Sequence, residues 1–284
     1  MSAFRRRKNG GEEDDGLRES LLPSDENVDS TAPQAVEGLK ESTSVGDQHN
    51  VLVRAVMESW NCLLALLAFL LGQHGHLTLT STQEARLREL RRKCVVPYDD
   101  QNPDHLESLK SLWMAGFPDT PWNGVKSPKW KEMGWQGVDP GTDFRGGGLF
   151  SLSNLLYMAN HESTLFEKLM KKSDGDRVEW EYPFAAAGVN VTVHLVDSVK
   201  LRIENPPSSP HRRGFVKLLN ESDSTFEEVY CCTFELLDKV WLEMHASYME
   251  FPTVLKRTIK QVEEALGRQP VNIADLRKML DLKT

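Results

Sequence analysis

Between Ser224 and Tyr248 the chain places Phe226, Val229, Tyr230, Thr233, Leu237, Val240, Trp241, Met244 and Tyr248 mostly three or four positions apart. That is the helical period, and an apolar stripe this wide must be covered by other elements. The spacing predicts a long helix over 224–248, opened by a capping box in Ser224-x-x-Glu227. A chain built around such a helix is expected to pack helices on helices, and the expected fold class is all-α.

The same period recurs upstream. Leu87, Leu90 and Cys94 share one face of the basic run Arg86–Lys93, and Leu106, Leu109, Leu112 and Trp113 mark a helix opened by Pro103-Asp104 and closed at Gly116-Phe-Pro118. Residues 117–132 are broken by Pro118, Pro121, Gly124 and Pro128, so they are expected to be irregular, with Trp122 and Trp130 as packing anchors. Leu149, Leu152, Leu155, Leu156 and Ala159 predict a further helix, and Leu165, Phe166 and Leu169 a short one. Pro183 to Ile203 reads two ways. Val189, Val191 and Val193 alternate as in a strand, whereas Ala185, Ala186, Ala187, Leu195, Val196, Val199 and Ile203 suit a buried helix. Roughly 20 residues pass before Pro206-Pro207, which is long for a strand and favours the helix. Leu255, Ile259, Val262 and Leu266 predict the last long helix, followed by a short helical tail around 274–280 within residues 269–284.

The first 50 residues carry 6 basic and 11 acidic side chains, accounting for −5 of the net charge of −8. With their Ser, Asp, Glu and Gly content they are expected to form a disordered acidic tail, and Arg5–Lys8 is a solvated part of it. An acidic chain is a poor fit to phosphate backbones, so no nucleic-acid partner is expected. Residues 51–82 are read as an apolar helix and linker. The run from Trp60 to Gly72 is shorter than the roughly 20 residues a spanning helix needs. It suits a buried core helix, with peripheral membrane contact through residues 51–72 as the second reading. Cys62, Cys94, Cys231 and Cys232 form no CxxC pair, and are expected to be reduced thiols in a cytoplasmic protein. Neither a metal site nor a cofactor is expected.

Asp139-Pro140-Gly141 is a turn sequence, and Phe144-Arg145-Gly146-Gly147-Gly148 follows it directly, ahead of the helix expected at 149–160. This puts one permanently charged guanidinium beside a helix N-terminus, where amide groups and the positive dipole end favour an anion. The G-x-x-x-x-G-K-[ST] pattern is absent, as are HExxH and GxSxG. Asp139 and Asp143 stand where turns and caps use aspartate. Spacing alone suits a salt bridge from Arg145 to Asp139 or Asp143 at least as well as a functional cation.

Residues 130–149, Trp-Lys-Glu-Met-Gly-Trp-Gln-Gly-Val-Asp-Pro-Gly-Thr-Asp-Phe-Arg-Gly-Gly-Gly-Leu, resemble the signature of the ELMO domain family, W-x-x-x-G-[FW]-Q followed by D-P-x-T-D-F-R-G-x-G. Leu152-Ser-Asn-Leu-Leu-Tyr157 and Trp180-x-Tyr-Pro-Phe-Ala185 extend the likeness. The resemblance implies a multi-helix ELMO-type domain over residues 83–268, of the kind found in the short ELMO-domain-only proteins. It implies a GTPase-activating protein for Arf-family, especially Arf-like, small GTPases, bound in their GTP form, that is itself not an enzyme. Arg145 would be the catalytic arginine finger. Asp143 would orient it, Gly146 and Gly148 would permit close docking, and Trp135, Gln136 and Asp139 would support the loop. Work beside a membrane, peripheral on an endomembrane, is compatible with this. The other implied reading is a non-catalytic scaffold for a small GTPase or an exchange factor. Many family members have methionine at the position of Gly147, and the glycine is expected to make the loop more mobile.

Overall fold

The computed structural model describes residues 77–170 and 181–282. The acidic tail, the apolar run Trp60–Gly72, the membrane contact expected at 51–72, and Trp180 lie outside the described residues. The described residues form nine α-helices and no strand: α1 Ser81–Lys93, α2 Pro103–Gly116, α3 Gly148–His161, α4 Ser163–Met170, α5 Phe184–Ser198, α6 Pro210–Leu218, α7 Thr225–Glu243, α8 Phe251–Gly267 and α9 Ile273–Met279. The fold is all-α.

Local chemistry sets where several helices begin. Thr80 caps α1 in a reciprocal box, its hydroxyl accepting from the Gln83 amide (3.2 Å) while the Gln83 side chain accepts from the Thr80 amide (2.9 Å). Asn102 caps α2 ahead of Pro103 at its first position, Ser209 caps α6 and Asn272 caps α9. Helix α3 is central, packing against α2, α4, α5 and α7, while α7 and α8 pack on each other and α8 covers α6. Phe150 of α3 meets Phe226 of α7 at 4.7 Å between centroids, and Phe184 of α5 stacks on Phe234 of α7 at 5.3 Å. Two buried polar links tie helices laterally. Asn154 Nδ2 donates to Thr192 Oγ1 (3.0 Å) between α3 and α5, and Tyr182 Oη donates to Asp238 Oδ1 (3.0 Å) on α7.

Four expectations need correction. Helix α7 stops at Glu243, His245 turns to φ +47°, and Tyr248 sits in a separate 3₁₀ turn with 62% of its surface exposed, so it is no part of the stripe. Ser224 makes no side-chain cap; Glu227 turns inward and pairs with Lys93 Nζ at 2.8 Å, leaving the expected box unformed. Helix α5 ends at Ser198, because Lys200 adopts φ +57° and turns the chain. Ile203 is therefore 46% exposed rather than a core residue. Helix α6 lies in a stretch where the sequence reading placed no element. The alternation of Val189, Val191 and Val193 belongs to a helix buried on nearly all sides, which removes the strand reading of this segment.

Trp130 is fully buried, and its indole N–H donates to the Val125 carbonyl at 2.8 Å. Trp130→Ala is expected to destabilise the domain by about 3–5 kcal/mol, read as a lower urea midpoint at unchanged slope.

Candidate functional site

An aromatic column rises from α2 to the segment that carries Arg145. Trp113 meets Trp130 edge-on at 4.9 Å, Trp130 meets Trp135 at 6.2 Å, Trp135 meets Phe144 at 5.1 Å, and Phe144 packs on Tyr98 at 4.7 Å. Edge-to-face pairs of this kind add about 0.5–1.5 kcal/mol each beyond area burial. Phe144 is buried at the top, and its neighbour Arg145 is exposed. Burial of one side chain thus fixes the outward direction of the next.

Hydrogen bonds close the turn from both ends. Asp139 Oδ1 accepts the Gly141 amide (3.1 Å), its carbonyl accepts the Thr142 hydroxyl (2.9 Å), and its Oδ2 pairs with Lys126 Nζ (3.2 Å). Asp143 Oδ2 accepts the Gln136 amide at 2.8 Å, tying the Trp135-Gln136 segment to the turn. The Gln136 side chain itself is exposed. Gly134, at φ +93°, lies so close to Phe184 that a Cβ would overlap its amide nitrogen, and the Gly134 carbonyl accepts the Ala186 amide (3.3 Å). That carbonyl serves the start of α5, which has no side-chain cap.

Both aspartates expected near Arg145 therefore hold backbone or Lys126. Among the described residues Arg145 has no hydrogen-bond or ion-pair partner, and the salt bridge to Asp139 or Asp143 is not formed. The helix start is also less open than its position suggests. The Gly147 and Gly148 amides both donate to the Phe144 carbonyl (3.2 and 2.7 Å) and the Leu149 amide donates to the Val96 carbonyl (3.0 Å). These amides are spoken for, so Arg145 rather than the α3 terminus is the group left for an anion.

Arg145 lines a cleft of about 300 Å³ together with Cys94, Val95, Val96, Tyr98 and the glycine turn. Its lining holds no carboxylate and no imidazole. Burial pushes the Cys94 thiol up to about 11, against a smaller lowering by Arg202. Tyr98 is pushed up to about 12 by burial and then by Asp100, Asp139 and Asp99. Both are protonated near neutral pH, and the cleft offers neither a base nor a thiolate. No group of three or more His, Cys, Asp or Glu among the described residues is arranged to hold a metal ion, and none of their helices is long and apolar enough to cross a membrane.

The glycines have distinct places. Gly148 has φ +57°, and a Cβ there would overlap the Val96 carbonyl oxygen, so its missing side chain serves internal packing of α3 on the Val96 segment rather than contact with a partner. Gly146 has φ +87° and open surroundings. Gly147 is buried at the N-cap, where a Cβ would overlap the Ser151 hydroxyl, so it is a packed joint. The sequence reading missed Val96, Tyr98 and Arg202. Arg202 donates to the Gly146 carbonyl and to Asp197 Oδ1 (3.0 Å), bracing the turn from the end of α5. Nothing in their spacing joins residues 96 or 202 to residue 146; only the fold does. Gly148→Ala is expected to lower stability by more than about 1–2 kcal/mol, the left-handed strain plus the clash, and Gly146→Ala by less, both read from urea unfolding.

The chain matches the ELMO/CED-12 family over residues 88–255. It is 34% identical over 224 residues to ELMO domain-containing protein C of Dictyostelium discoideum, covering 75% of this chain and 35% of that protein. It is also 34% identical over 201 residues to ELMO domain-containing protein 1 of Mus musculus, covering 63% of this chain and 59% of that one. ELMO domain-containing protein B of Dictyostelium discoideum is 31% identical over 170 residues, covering 60% of this chain and 56% of its own. The chain thus spans well short of the full length of each relative. On the family match and these identities, it belongs to the ELMO/CED-12 family.

Proposed function

We propose that this chain is a GTPase-activating protein for an Arf-family small GTPase, and that Arg145 is the arginine finger it supplies in trans. The observation that supports this most is the state of Arg145: exposed, without a partner among the described residues, and carried on a turn held by a buried phenylalanine on one side and by Arg202 on the other. A guanidinium so placed is available to phosphate or carboxylate oxygens, which its planar fork matches with two parallel N–H donors. The cleft beside it has no base or nucleophile of its own. Chemistry there depends on what a partner brings.

On this reading the GTPase carries its own Mg²⁺, its phosphate-binding loop and the residue that positions the attacking water. As the bond to the γ-phosphoryl group loosens, charge accumulates on its oxygens. Arg145 meets that charge, an effect worth on the order of 10³–10⁵ in rate for arginine fingers. Trp135, Asp139, Asp143 and Gln136 act at a distance by fixing the turn. The Arf-family assignment comes from the family resemblance of the D-F-R-G segment, and the choice of GTPase within it lies in surface contacts.

Single-turnover GTP hydrolysis by a panel of Arf-family GTPases, with and without the chain, tests the reading. Stimulation is expected for at least one GTPase, and Arg145→Ala is expected to lower it by about 10³-fold or more. Arg145→Lys is expected to restore little, since an ammonium is a point charge. Equal stimulation by wild type and Arg145→Ala rejects the finger. Tight nucleotide-dependent binding without any rate effect instead indicates a scaffold.

A further inference from the structure

The three glycines that follow Arg145 differ in freedom. Gly147 is wedged against Ser151 and Gly148 against the Val96 carbonyl, so packing confines both. At Gly146, with φ +87°, a Cβ would meet only Val193 Cγ2, at an ordinary 3.8 Å. Neither a side chain of its own nor close neighbours hold this residue in one backbone well. The Phe144 carbonyl closes the turn by accepting the Gly147 and Gly148 amides, and leaves the Gly146 carbonyl free to turn outward. Among the described residues that carbonyl has one partner, a guanidinium N–H of Arg202, 56 positions along the chain.

Arg202 is itself well anchored. Lys200, at φ +57°, reverses the chain after α5, and Leu201 is fully buried with its amide donating to the Val196 carbonyl (3.0 Å). Arg91 of α1 donates to the Ile203 and Glu204 carbonyls (3.3 and 2.8 Å), tying the far side of the same strap. The second guanidinium nitrogen of Arg202 donates to Asp197 Oδ1 (3.0 Å), in the last turn of α5. One planar fork thus spans a carboxylate and a carbonyl, a geometry that a point charge does not reproduce. Asp197 also balances the charge of Arg202, so the pair acts on the turn through geometry rather than by drawing in an anion.

We propose that Arg202 is a positioning residue: oriented by Asp197, it latches Gly146 and so fixes the direction in which Arg145 leaves the turn. This rests on the activator reading above, and it gives the end of α5 a share in the rate without contact to the GTPase or its nucleotide. Small misplacement of a group that acts in a transition state can cost about 10²-fold. The latch therefore governs rate, whereas affinity does not depend on it.

Two readouts on the full chain test this. One is single-turnover GTP hydrolysis by Arf-family GTPases at rising chain concentration, and the other is the NMR backbone order parameters of Arg145 and Gly146 in the free chain. Arg202→Ala is expected to lower the saturated rate about 10- to 100-fold at an unchanged half-saturating concentration. The order parameters of both residues are expected to fall from about 0.85, the rigid range, toward about 0.6. Arg202→Lys keeps a donor but loses the fork, and is expected to recover part of both. Asp197→Ala keeps the Arg202 guanidinium and removes a negative charge. A charge effect would then tighten binding, whereas the latch expects the rate and the order to fall. Should Arg202→Ala not fold, Asp197→Ala and Arg202→Lys carry the same readouts. An unchanged saturated rate or unchanged order in Arg202→Ala overturns the proposal, as does a loss confined to the half-saturating concentration, which would make Arg202 a partner contact. Where wild type stimulates no GTPase, order decides alone: a fall in Arg202→Ala and Asp197→Ala sustains the latch and rejects only the activator reading, and no fall rejects the latch.

Discussion

The contact on which the rest depends is that between Trp135 and Phe144. It is the step where the aromatic column passes from the irregular segment after α2 to the turn bearing Arg145. Below it, Trp113 and Trp130 are anchored by indole N–H donation to the Thr120 and Val125 carbonyls. Above it, Phe144 leans on Tyr98, whose ring also packs close to Gly141. A segment with little regular secondary structure is thereby held by ring packing in place of a backbone ladder. Buried aromatic area of this size is a strong restraint, and it is directional in a way that aliphatic packing is not.

Around this column, backbone groups do work often given to side chains. The Gly134 carbonyl closes the start of α5, and the Val96 carbonyl closes the start of α3. Each arrangement brings a glycine against another segment's backbone, at Gly134 and at Gly148. The two parts of the family signature, around Gly134-Trp135 and around Tyr182-Pro183-Phe184, are thus one structural joint. The braces on the motif turn come from three places in the chain: Gln136 before it, Val96 earlier still, and Arg202 after α5.

Most of the helices were legible because burial on one face writes a period into the sequence. α1, α2, α3, α7 and α8 all show it, and length decided α5 in favour of a helix. The failures have physical reasons. Ser224-x-x-Glu227 has the letters of a capping box, but a half-buried pairing with Lys93 draws Glu227 away. Tyr248 and Ile203 continue an apolar period past residues that adopt positive φ, His245 and Lys200, and end in solvent. At the motif, the turn and the outward arginine were readable from Asp-Pro-Gly and Phe-Arg-Gly. The partners of Asp139 and Asp143 were not, because aspartate beside arginine suggests an ion pair whichever backbone amides lie nearby.

That Arg145 has no hydrogen-bond or ion-pair partner among the described residues bears on how long any complex would last. No described residue clamps its side chain, and capture by an anion would have to order it. Ordering one such side chain costs about 0.5–1.5 kcal/mol on association. A preorganised arginine, clamped by Asp143, would escape that cost but would have to break a salt bridge at each encounter. With its two aspartates turned to backbone and Lys126, this domain has the opposite arrangement. On the activator reading proposed above, the guanidinium would engage without first being released from a carboxylate, and the entropy regained on letting go would favour dissociation.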